Sequence, residues 1–197
     1  MSRAHREYFN RLAPEWNNQI EDDPLLIDHL INFGVKRGEM VLDIGCGTGR
    51  MSKYIAGIVG EEGLVVAEDI SERMLEEGKK EIGNSQILWL CDDVSMLSLK
   101  ENTFDKIICF SSFPHFLNKL AALKEMRRVL VPSGRLLILH TSSSEELNRF
   151  HSSLDGIVKH DRLPDKKTMM LLFKQSGLVP IRIEESENLY WAEGEKI

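Results

Sequence analysis

Apolar residues in the first 140 positions gather into five short runs. These are MVLDI (40–44), LVVAED (64–69), ILWLC (87–91), KIICF (106–110) and RLLILH (135–140). Runs of this length, apolar on successive residues, predict strands covered on both faces. RMSKYIAGIV and SERMLEEGKKEI repeat instead with helical period. The clearest helix is NKLAALKEMRRVL (118–130), which puts Leu120, Leu123, Met126, Val129 and Leu130 on one stripe, and VPSG then turns the chain. Alternation of strand and helix predicts a parallel sheet with helices on both faces.

The pattern weakens at 92–105, where a loop or short helix is expected, and changes after residue 140. SSSEELNRFHSSL reads as a short helix capped by a serine. PDKKTMMLLFKQSG reads as a second helix, with Asp165 as N-cap and Gly177 as its stop. LVPIRIEE and NLYWAEGE then predict two strands joined by a short polar turn, hence antiparallel. The expected organisation is one domain over 1–197. An amphipathic arm at 1–20 carries Tyr8, Phe9, Leu12 and Trp16, and an insert at 141–165 is the other material available to shape a pocket.

Composition narrows the classes. A chain of 197 residues fits one domain with its own core. The balance of 25 basic against 31 acidic residues disfavours a phosphate backbone as partner. No run is long enough to span a bilayer, and the polar opening MSRAHREYFN does not read as a secretory signal. Cys46, Cys91 and Cys109 have neither metal nor disulfide spacing. A cytoplasmic setting is expected.

The chemistry concentrates in DIGCGTG, at the end of the first predicted strand. Gly45 permits a sharp turn and Gly47 lets backbone approach a ligand. Gly49 leads into a helix N-terminus that favours negative charge. A dinucleotide fingerprint, G-x-G-x-x-G, fails here because Arg50 occupies the third-glycine position. Asp43 points a carboxylate into the loop, which suits a ligand with an amino group. Asp69, at the end of the second strand, is placed to accept from ribose hydroxyls. Glu68 should face the other side of that strand, since side chains alternate.

VLDIGCGTG resembles the first motif of the class I S-adenosylmethionine-dependent methyltransferases, and the resemblance runs from YFNRLAPEW to the C-terminal strand pair. It implies a doubly wound, seven-stranded, mostly parallel Rossmann-like α/β sheet, ordered 3-2-1-4-5-7-6 with an antiparallel last strand. It implies S-adenosylmethionine as cofactor, held by Asp43, Gly45, Cys46, Gly47, Gly49, Asp69 and Ile70. After the third strand an acidic residue meets the adenine amine and the next amide meets the ring. Counting back from Leu97 selects Asp93 over Asp92, followed by Val94. Backbone at Phe110 holds the ammonium, and Tyr8 on the arm touches the methionine portion. CFSSFPHF lacks the Pro-Pro-aromatic run of base-amine enzymes, which with the net acidity favours a small-molecule acceptor.

Methyl transfer needs alignment above all, and a base only where the nucleophile arrives protonated. His115 is the candidate base, its alternative being a polar pocket wall. His140 and His151, with Asn148 and Glu145, form a candidate polar floor. A metal is disfavoured because no histidine pair has ligand spacing. The alternatives are a non-catalytic S-adenosylmethionine-binding protein and a nucleotide-dependent oxidoreductase.

Overall fold

A computed structural model describes residues 2–19, 23, 25–83 and 85–197; positions 1 and 20 of the expected arm lie outside the described residues. Seven strands form one sheet: β1 (Met40–Ile44), β2 (Leu64–Asp69), β3 (Ile87–Cys91), β4 (Phe104–Phe110), β5 (Leu130–His140), β6 (Leu178–Ser186) and β7 (Leu189–Lys196). Their order is β3-β2-β1-β4-β5-β7-β6. β1, β2, β3, β4 and β5 pair in parallel, whereas β7 runs antiparallel to both β5 and β6.

The helices are α1 (Arg3–Leu12), α2 (Leu25–Phe33), α3 (Arg50–Val59), α4 (Glu72–Glu81), α5 (Lys119–Val129), α6 (Ser144–Ser153) and α7 (Lys166–Ser176). Strand alternation splits the core in two. Leu42, Ile44, Ile107, Cys109, Leu136 and Ile138 pack with Leu123 and Met126 of α5 and Phe173 of α7. Val41, Val65, Ala67, Ile108, Leu137 and Leu139 face the opposite way, onto Leu26 and Leu30 of α2 and Ile55 and Val59 of α3. Both faces are dry, and that is why these strands read as unbroken apolar runs.

The expected caps form, with Ser143 accepting from Glu146 N and Asp165 from Thr168 N, and two further helices are capped alike, Ser71 accepting from Met74 N and Asn118 from Ala121 N. Gly177 closes α7 in the left-handed conformation. Two features differ from expectation. Helix α2, LLIDHLINF, is not among the expected elements; it buries Leu26, Leu30 and Phe33 but also exposes Leu25, Ile27 and Ile31, so apolar residues on both faces blur its period. VPSG turns the chain without ending a strand. Phe104 pairs with Leu130 and Lys106 with Arg135, so the extra residues loop out as a bulge inside β5.

Candidate active site

The carboxyl ends of β1, β2 and β4 converge on the DIGCGTG loop. Gly45 and Gly47 have φ of 64° and 57°, and a Cβ at Gly45 would lie 2.5 Å from Ser112. Ser112 in turn donates to Ile44 O at 2.9 Å, which locks the β4 loop against the end of β1. Gly49 has a different job. The space a side chain would need there is taken by the Trp89 indole of β3, which would stand 2.5 Å from an added Cβ, and Gly49 lines neither cleft described below. The glycine is thus required by packing of α3 onto the sheet edge.

Three carboxyls surround this loop. Asp43 accepts from Ser52 Oγ at 2.6 Å through Oδ2, while its buried Oδ1 has no partner among the described residues. Burial raises its pKa to about 7. Asp69 accepts from Gly47 N at 2.9 Å and from Ser71 N at 2.8 Å; burial lifts it to about 6. Glu68 does not face away as alternation predicts. It is buried, accepts from Gly45 N at 3.3 Å, and burial pushes its carboxyl well above the usual range. Ile44 pairs with Glu68, so the loop starts directly beside it and reaches both acids at once.

The cleft over the glycines, about 390 Å³, is lined by Phe9, Trp16, Gly45, Gly47, Asp69, Met74, Ser111, Ser112 and His115. A continuation passes Asp43, Cys46 and Phe110, whose ring lies 5.0 Å beneath the Arg50 guanidinium. Ser111 is held at φ 55°, a strained conformation for a serine, and closes the wall after β4. Ile70, Asp92 and Asp93 line an adjoining groove. Asp92 spends its oxygens on Ser98 N, Ser98 Oγ and Asp93 N; Asp93 accepts from Ser95 N. Val94 turns its side chain into the core. An orphaned carboxylate oxygen and a second buried carboxylate beside open backbone fit a donor bearing ammonium and sulfonium charge.

The arm lies across this cleft. Asn17 Oδ1 accepts from Thr48 Oγ1 at 2.5 Å, Asn10 Oδ1 accepts from Ser71 Oγ at 2.6 Å, and Arg6 pairs with Glu72. Phe9 and Trp16 enter the cleft, edge to face at 6.0 Å. Tyr8, expected at the methionine portion, points elsewhere: α1 presents adjacent residues to different sides, and Tyr8 lines a second cavity instead. That cavity, about 760 Å³, is walled by Tyr8, Phe9, Trp16, Phe150, Leu154 and Val158, with His115 and His151 at its polar end.

His115 lines both cavities. The short turn carrying it, Phe113–His115, is fastened by Lys119 Nζ, which donates to Pro114 O and Phe116 O. Its Nδ1 donates to Asp161 Oδ2 at 2.7 Å. Asp161 also receives His5 Nε2 at 3.1 Å, and its carbonyl accepts from His151 Nδ1 at 3.2 Å. Burial works to raise Asp161, but the bonds from His115 and His5 outweigh it and hold the carboxyl below the usual range. Burial and the nearby His115 push His151 down.

The proposed polar floor does not assemble. His140 is buried behind the site and lines neither cavity; Nε2 has no partner among the described residues, and burial pushes its pKa down to about 3, so it stays neutral. Asn148 clamps Leu163 through N and O, and Glu145 pairs with Arg149 at the surface. Among the described residues no cluster of three or more His, Cys, Asp or Glu is arranged for a metal ion. Sequence reasoning missed His5, Asp161, Ser112 and Lys119. His5 and Asp161 stand 156 positions apart with no local signal joining them.

Comparison with known proteins agrees with this fold. Residues 42–138 match the family model described as a methyltransferase domain. The chain is 37% identical over 142 residues to the ubiquinone/menaquinone biosynthesis C-methyltransferase UbiE of Haemophilus ducreyi, covering 65% of this chain and 55% of that protein. The chain thus spans about half the length of the curated relatives it matches. In fold it is similar to an S-adenosylmethionine-dependent methyltransferase from Aquifex aeolicus (TM-score 0.74, 23% identity, 98% of both chains). It is also similar to Haemonchus contortus phosphoethanolamine N-methyltransferase 2 in complex with S-adenosyl-L-methionine (TM-score 0.79, 18% identity, 97% of this chain and 59% of that one). The dinucleotide alternative falls with these matches: by motif, sheet order and domain match, this chain belongs to the class I S-adenosylmethionine-dependent methyltransferases.

Proposed function

We propose that the protein methylates a small, flat, largely apolar acceptor carrying an ionisable hydroxyl, bound in the aromatic cavity between arm and insert. The observation that carries this reading is the position of His115, in the wall common to the glycine-loop cleft and the aromatic cavity. Asp43 and Asp69, with the backbone of Gly45 and Gly47, would hold S-adenosylmethionine. When bound, that donor supplies a methyl group already activated on sulfur.

The chain's residues then have three tasks. Phe9, Trp16 and Phe150 exclude water and hold the acceptor plane, since aromatic faces stack at low entropic cost. Asp161 fixes the imidazole of His115 through Nδ1, which leaves Nε2 as the nitrogen to take the acceptor's proton. The β4 loop, fastened by Ser112 and Lys119, keeps that nitrogen in register with the donor. The relatives named for C-methylation in quinone biosynthesis support a hydroxylated ring as acceptor, because ring carbon becomes nucleophilic once its hydroxyl ionises.

Methyl-labelled S-adenosylmethionine incubated with a naphthohydroquinone, a simple phenol and a primary amine tests this. Label is expected on the hydroquinone or phenol. Transfer to the amine alone would overturn the acceptor class.

A further inference from the structure

The arm residue His5 belongs to the same network as the candidate base. It is 0% exposed, and its surroundings fix its proton. The Asp161 carboxylate can only accept, so Nε2 carries a ring proton, and in that tautomer Ser2 Oγ, 2.8 Å away, donates to Nδ1 while accepting from His5 N. Nε2–H is shared between both oxygens of Asp161, at 3.1 Å each. His115 Nδ1–H occupies Oδ2 as well. One carboxylate is therefore held from two sides, by the arm and by the β4 loop, while its own backbone carries His151 of the insert.

The same arm covers the donor cleft. Phe9 and Trp16 sit over Gly45 and Gly47, and Asn10 and Asn17 tie the arm to Ser71 and Thr48 at the mouth of that cleft. The arm thus covers the part of the cleft in which a donor would lie against Gly45 and Gly47. Because α1 is a continuous helix carrying both His5 and Asn10, lifting takes His5 off Asp161.

We infer that His5 is a positioning residue that completes the Asp161–His115 pair only when the arm is closed. Donor loading and assembly of the base are thereby one event. With the arm raised, Asp161 loses one of its two donors, and its carboxylate is no longer confined to the geometry that selects the Nδ1–H form of His115. The inference rests on the reading of His115 as the base, and its test needs no acceptor.

The experiment uses the full chain labelled with nitrogen-15 histidine and saturated with S-adenosylhomocysteine, the ring tautomers being read from long-range proton–nitrogen spectra. His115 is identified by comparison with H115Q. The wild type is expected to show His115 as a single Nδ1–H form and His5 as Nε2–H. In H5L the two His115 nitrogen signals should converge towards their exchange average, as they should in D161N. H5Q keeps a side-chain amide donor and should restore the wild-type pattern. Affinity for S-adenosylhomocysteine is measured alongside to report whether the arm stays docked. An unchanged His115 pattern in H5L overturns the inference, as does an H5Q protein that binds S-adenosylhomocysteine normally yet fails to restore the pattern. If H5L loses affinity and pattern together, recovery of both in H5Q supports the inference and recovery of affinity alone overturns it. Failure of the methyl-transfer assay with an intact tautomer result would sink the acceptor reading and leave the arm coupling standing.

Discussion

The two sides of the site are built by opposite means. The donor side is acidic and made of backbone, and its parts come from neighbouring strands: Asp43 to Gly47 on one, Glu68 and Asp69 on the next. The acceptor side is aromatic and imidazole-rich, and its parts come from residues 5–16, 115 and 150–161, carried by an arm, a short turn and an insert. Sheet pairing fixes the first to within the precision of a ladder. Side-chain hydrogen bonds, many through Asp161 and two arm asparagines, fix the second. The donor side should therefore tolerate almost no change, and the acceptor side should change its chemistry while the fold survives.

The sharpest way to break this contrast is at Gly45. G45A places a methyl 2.5 Å from Ser112 at a left-handed residue. A loss of about 2–4 kcal/mol of stability is expected, together with loss of S-adenosylhomocysteine binding, read from denaturant midpoints and a thermal shift. A stable, binding-competent G45A would show the loop to be far softer than its geometry implies. H115A comes next. Transfer to a hydroxyl acceptor should fall by about 10²–10⁴-fold, the usual contribution of a general base, with the fold retained.

A subtler separation uses pH. Asp43 and Asp69 are raised to about 7 and about 6, whereas in the unfolded chain both titrate near 4, their ordinary value. Between those limits the native state holds protons that the unfolded state has released, so stability without ligand should fall as pH rises from about 4 to about 7. A cationic donor favours the ionised acids. Binding should then release protons near pH 6.5, checked by calorimetry in buffers of different ionisation enthalpy; no buffer dependence would mean that the acids are already charged. The smallest effect is expected at Phe150, 55% exposed on the cavity rim. F150A should raise KM for an aromatic acceptor several-fold and leave donor affinity alone.

The same contrast governs what the chain discloses when read as letters. β1, β2, β3 and α3 match their expected limits because each is a compact apolar or periodic run bounded by a glycine or a polar turn. Asp43, Gly45 and Gly47 are legible because they lie in one contiguous stretch, and Asp69 because it ends the neighbouring strand; all four line the clefts at the glycine loop. Gly49 shares the motif but answers to Trp89, a contact between segments that no spacing rule carries. His115 is recognisable from its place after β4. Its partner is not, since Asp161 lies in HDRLPD, a stretch without periodicity, and the pairing exists only after arm and insert have folded onto the sheet. Tyr8 and Phe9 differ by one helical step, which sequence alone does not orient against two cavities.

Trp89 also gives the molecule an optical consequence. Its indole is wedged between Gly49, where α3 begins, and Gly78, in the middle of α4, against the rear of the donor loop. Trp16 lies on the opposite, outer surface of that loop, and Trp191 is sunk in the core beside Phe33. Three emitters thus report three depths of one chain. With Trp191 and either of the others replaced by phenylalanine, fluorescence would time the motion of the arm separately from the tightening of the loop beneath it.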